Sequence, residues 1–120
     1  MTKLLCIISQ PPYANAHTLE LLEAAMVGAV FDCHVTLLFR DDGIWSLLKN
    51  QNADVLQQRT LSKVLLALPS YDIEEIFVCD DSLSTRNLAA SDITDGVKTL
   101  DYQAQSDLIS TQDAVLSAQL

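Results

Sequence analysis

No apolar run in this chain approaches the ~20 residues that a membrane-spanning helix needs, so no membrane contact is expected. Basic residues are scarce, seven Lys and Arg against sixteen Asp and Glu, for a net charge of −9. Neutralising phosphates takes clustered Lys and Arg, so direct binding of nucleic acid is not expected; a partner would have to supply the basic patch. Glycine is equally sparse, three in all, with none in the loop from Ser9 to His17. That excludes both the Walker A and the GxGxxG phosphate loops there. The cysteines Cys6, Cys33 and Cys79 are odd in number and far apart, with no CxxC or Cys/His ligand spacing. Neither a disulfide framework nor a zinc site follows, and no cofactor or metal is expected. The opening Met1–Gln10 segment is too short in its apolar part for a signal sequence, so reduced thiols in the cytoplasm are the simplest reading.

What is present is a chain of 120 residues, 49% hydrophobic, which suits one domain over 1–120 with a real core. Only 19% of residues are charged, against the roughly 25% usual for soluble domains. Apolar surface reserved for another subunit is the implied use of the difference.

The apolar run Leu4 to Ile8 ends at Ser9-Gln10-Pro11-Pro12 and reads as a strand buried on both faces. From His17, the spacing of Leu19, Leu22, Ala25, Met26 and Ala29 predicts an amphipathic helix to about Phe31. His34 to Phe39 is a second strand, ended by Arg40-Asp41-Asp42-Gly43. A short helix at Ile44 to Leu48, a polar loop at Lys49 to Asp54 and a helix at Leu61 to Leu68, stopped before Pro69, follow. Ile73 to Cys79 is a third strand and Asp80 to Asn87 the helix after it, with acidic residues in its first turn. Val97 to Leu100, Tyr102 to Ser110 and Ala114 to Leu120 complete a strand, helix, strand series. Alternation of this kind predicts an α/β fold, a three-layer α/β/α sandwich on a five-stranded, mainly parallel sheet.

Sites in such sheets gather beyond the carboxyl ends of the strands. Three segments lie there: Ser9 to His17, Arg40 to Trp45 and Cys79 to Ser82. Cys79 closes a strand at a helix start, where free N–H groups favour a thiolate. The alternative is a small apolar residue packed at a strand end. Asp80 and Asp81 follow it directly, and like-signed carboxylates oppose thiolate formation. Cys6 within a strand and Cys33 at a helix-to-strand junction read as structural. Asp41-Asp42-Gly43 resembles the acidic pocket of a response regulator, but the third Asp and the Lys that such a pocket needs are missing. A polar turn capping the helix at Ile44 is the expected role. His17 would be a solvated helix-start residue, since no Ser/His/Asp set can be assembled around it.

The order of these pieces resembles the DsrE/DsrF-like sulfur-relay family, and within it the TusC/DsrF branch. The resemblance runs through nearly the whole chain. It is carried by Ser9, Pro11, Pro12 and Tyr13 after the first strand, then Asp42-Gly43-Ile44-Trp45 with Leu47-Leu48. Asn52-Ala53-Asp54-Val55-Leu56 follows, and then Tyr71-Asp72-Ile73-Glu74 running into Val78-Cys79, Ser82-Leu83, Arg86 and Leu88. The resemblance implies a subunit of a heterohexamer, two each of three related chains, with TusB-like and TusD-like (DsrH/DsrE-like) sisters. Such assemblies pass persulfide sulfur between donor and acceptor proteins, toward tRNA 2-thiouridine or in sulfur oxidation. A sister chain carries the sulfur on a cysteine at the position that Cys79 matches. Two departures stand out: Ala14-Asn15 where the family often has Gly, and Asp80-Asp81 where sister chains have small apolar residues. The expectation is a non-catalytic, docking subunit. Its alternatives are a persulfide carrier acting through Cys79 and a free-standing flavodoxin-like regulatory or ligand-binding domain.

Overall fold

A computed structural model describes residues 2–11, 17–48 and 63–117. Strand β1 (Lys3–Ile8) leads to helix α1 (His17–Val30), then β2 (His34–Phe39) and a 3-10 segment (Asp41–Leu47). Residues 63–67 are helical and tighten into a 3-10 turn at Leu68–Tyr71 before β3 (Glu75–Cys79) and α2 (Asp80–Thr85). A 3-10 turn at Ala90–Asp92, β4 (Lys98–Leu100), α3 (Tyr102–Ser110) and β5 (Ala114–Ser117) end the described chain.

The five strands lie in the order β4-β3-β2-β1-β5, and every neighbouring pair is parallel. Strands β1 to β4 step in one direction, so right-handed connections keep their helices on one face. The return from β4 to β5 reverses direction and carries α3 to the opposite face. The α/β/α sandwich expected from the alternation is therefore present, with a sheet that is parallel throughout. Its order differs from the flavodoxin order 2-1-3-4-5, so a flavodoxin-like domain is not what this chain forms.

The two faces are filled unequally. On one, Leu4, Cys6, Ile8, Val35, Leu37, Phe39 and Val78 pack with Leu22 and Ala25 of α1, and with Ile44, Leu47, Leu68, Ile73, Leu83 and Ile93. On the other, a smaller cluster of Leu5, Ile7 and Leu38 packs with Phe77, Leu108 and Ile109. Strands β1 and β2 are buried on both sides, as the unbroken run Leu4 to Ile8 and the apolar Val35, Leu37, Leu38 and Phe39 require.

Several boundaries differ from the pattern. The α-helix ends at residue 67, before Pro69 as expected, but the chain goes on as a 3-10 turn with Pro69 at its start, where a missing N–H costs nothing. That turn ends on Asp72 in the left-handed region (φ 61°), and Ile73 is a buried anchor ahead of β3 rather than its first residue. Helix α2 stops at Thr85, two residues early, and the helix expected at Ile44 is a 3-10 segment beginning at Asp41. The polar loop 49–54, the start of the 61–68 helix and residues 118–120 lie outside the described residues.

Candidate functional site

Because all strands run the same way, β1, β2, β3 and β4 deliver their exits to one edge: Ser9 to Pro11, Arg40 to Trp45, Cys79 to Ser82, and Asp101-Tyr102. The last of these was not among the expected segments. Residues 12–16 lie outside the described chain, as does the side chain of His17, which opens α1 as expected. Thr18, buried beside it, donates its hydroxyl to the Gln10 carbonyl (3.1 Å) and ties α1 to the exit of β1.

Cys79 is the last residue of β3, pairs with Leu100 of β4, and is the N-cap of α2. It makes no capping bond with its side chain and is only 1% exposed. Asp80 and Asp81 are both exposed. Arg86, the nearest cation along the sequence, is engaged elsewhere: Nη2 and Nε donate to Asp42 Oδ1 (3.0 and 3.3 Å) and Nη1 to the Ser82 carbonyl (3.2 Å).

The same contacts correct the reading of the acidic pair. Arg40, not an aspartate, is the N-cap of the 3-10 segment, and its own side chain makes no capping bond. Asp41 turns through the left-handed region (φ 52°) and donates its N–H to Ser82 Oγ (2.9 Å). Asp42 is the ion-pair partner of Arg86. The pair serves as a clasp between the β2 and β3 exits. No group of three His, Cys, Asp or Glu residues suited to a metal occurs among the described residues.

All three cysteines are free thiols. Cys6 is fully buried in β1, and burial pushes its thiol up to about 11. Cys33 is half-buried at the junction between α1 and β2, its N–H donating to the Gly28 carbonyl (3.0 Å). Both occupy the structural positions expected of them.

The sequence reading missed Tyr102. Its hydroxyl donates to Asp81 Oδ2 (3.0 Å), so the first turns of α2 and α3 are bonded across the strand ends. That bond, the Asp81 charge and the neighbouring Cys79 all raise the tyrosine's ionisation above its usual range. The only signal for it in the sequence is Asp101, an N-cap placing Tyr102 at a helix start; the pairing itself depends on the register of β3 with β4.

The pattern that defines the DsrE/DsrF-like family matches residues 2–118. A protein named TusC homolog from Pseudomonas aeruginosa is 37% identical over 118 residues, covering 98% of this chain and 99% of the relative. The intracellular sulfur oxidation protein DsrF of Allochromatium vinosum is 29% identical over 129 residues, 96% of this chain and 95% of its own. In fold, the chain is similar to the YchN protein of E. coli, with a TM-score of 0.84 at 17% identity, over 98% of this chain and all of that one.

Proposed function

Because the chain belongs to the DsrE/DsrF-like family, we propose that it is a TusC/DsrF-type subunit of a heteromeric sulfur relay, docking its neighbours rather than carrying sulfur. Its partners are sister TusB-like and TusD-like chains in a heterohexamer, together with the donor and acceptor proteins that meet that complex in the cytoplasm. The sulfur goes toward tRNA thiolation or enters sulfur oxidation, the second being the process in the name of the DsrF relative.

The observation that carries the accessory role is the burial of Cys79 at 1% exposure. A carrier thiolate attacks the outer sulfur of a donor persulfide; the new S–S bond forms as the donor's S–S bond breaks, and the donor cysteine leaves as thiolate. The attacking sulfur must therefore be reachable. Cys79 is not, and Arg86, which would favour its thiolate, is held by Asp42. Its place at a strand end beside a helix start favours the second reading, in which Cys79 itself carries persulfide.

Reconstitution with the sister chains and a persulfide donor separates the two. Cys79→Ser is expected to assemble normally and to transfer sulfur at close to the wild-type rate. Collapse of transfer in an intact complex, or persulfide building on Cys79 as fast as overall transfer proceeds, would establish the carrier role instead.

A further inference from the structure

Cys79 stands at the open edge of the sheet, yet it is as inaccessible as a core residue. Strands β3 and β4 end side by side there, Cys79 against Leu100, and both chains turn at once into helices. Two first turns consequently stand above the same strand ends. The Tyr102 hydroxyl bridges them through its 3.0 Å bond to Asp81, and it lies close enough to Cys79 for the sulfur to affect its ionisation.

The backbone beneath Tyr102 is firmly held. Asp101 Oδ1 accepts the Ala104 N–H (2.7 Å), the Asp101 carbonyl accepts the Gln105 N–H (2.9 Å), and the buried Gln105 amide donates to the Leu100 carbonyl (3.1 Å). The tip is different: the Tyr102 side chain is exposed (61% for the residue), and its hydroxyl is held by Asp81 with the Cys79 thiol beside it. The base is thus fixed while the tip is exposed, the arrangement a latch needs.

We propose that Tyr102, bonded to Asp81, closes the carboxyl edge of the sheet over Cys79 and controls access to its thiol. The inference concerns access alone, so it stands or falls independently of the sulfur-relay reading.

The test uses the full-length chain, alkylated with iodoacetamide, with each cysteine followed separately by peptide mass spectrometry. Tyr102→Phe removes the donor, and Asp81→Ala removes the acceptor from an exposed position. Loss of one hydrogen bond is expected to raise the Cys79 rate about three- to tenfold in each variant, with Cys6 unchanged. A wild-type Cys79 rate in either variant overturns the latch. So does a parallel rise at Cys6, which would show general loosening rather than local opening.

Discussion

A Cβ added to Gly43 would stand 1.9 Å from the carbonyl oxygen of Ile8, inside any permissible contact with backbone. The requirement is steric: the 3-10 segment crosses the end of β1 so closely that only hydrogen fits. Gly43→Ala must move one of the two backbones and is expected to cost roughly 1–3 kcal/mol, read as a lower urea midpoint at unchanged m-value. Cys6 offers a second test at this scale. Burial pushes its thiol up to about 11, above the range near 9 of an exposed thiol, so the native state keeps a proton that the unfolded chain loses. Stability attributable to Cys6 is thus complete below pH 9 and is lost as pH climbs from 9 toward 11, on the order of 2–3 kcal/mol in all. Urea midpoints of wild type and Cys6→Ala should draw together over that window; Tyr102, also raised, contributes equally to both and cancels in the comparison. Equal pH slopes in the two proteins would show that Cys6 ionises as freely folded as unfolded.

Elements are where the sequence was most readable, and where its limits are physical. Largely apolar runs disclosed β1 and β2 because both faces of a central parallel strand are buried, and 3.6-residue spacing disclosed α1 because Leu22 and Ala25 face the core. The clasp between the β2 and β3 exits was hidden, since Asp42 and Arg86 are 44 residues apart and meet only once the strands are in register. Asp41 and Asp42 were expected to cap a helix on local chemistry alone; a cation from a distant element claimed one carboxylate instead. Arg86→Ala should cost about 1 kcal/mol, since the pair is partly exposed (20% and 54%) but reinforced by the bond to Ser82. With its carboxylate facing a guanidinium, Asp42 is a poor divalent-cation ligand, and calorimetric titration with Mg²⁺ should give no heat of binding. A micromolar site abolished by Asp42→Asn would reverse that conclusion.

At the scale of the whole molecule, the low charged fraction finds a location. Val27, Val30 and Phe31, at the end of α1, are 56%, 63% and 76% exposed. With Met26, Glu23 and Tyr71 they line an open apolar groove of about 330 Å³. Helical periodicity anticipated the buried side of α1 but not this one, because a pattern that finds the core-facing stripe is silent on what the outer face meets. The groove reaches back along α1 through Met26 and Glu23. An aromatic side chain exposed beside β-branched residues is how an interface anchor looks before its partner arrives. If the chain works as a docking subunit, Phe31 is such an anchor. Val27→Asp with Phe31→Asp should then leave the isolated fold intact, since neither side chain is in the core, while weakening assembly with the sister chains by about 30-fold or more. Analytical ultracentrifugation of the mixed subunits reads this directly. A double variant that assembles as well as wild type would place the interface on another face, and a wild-type chain that remains monomeric with every sister chain present would remove the docking role altogether.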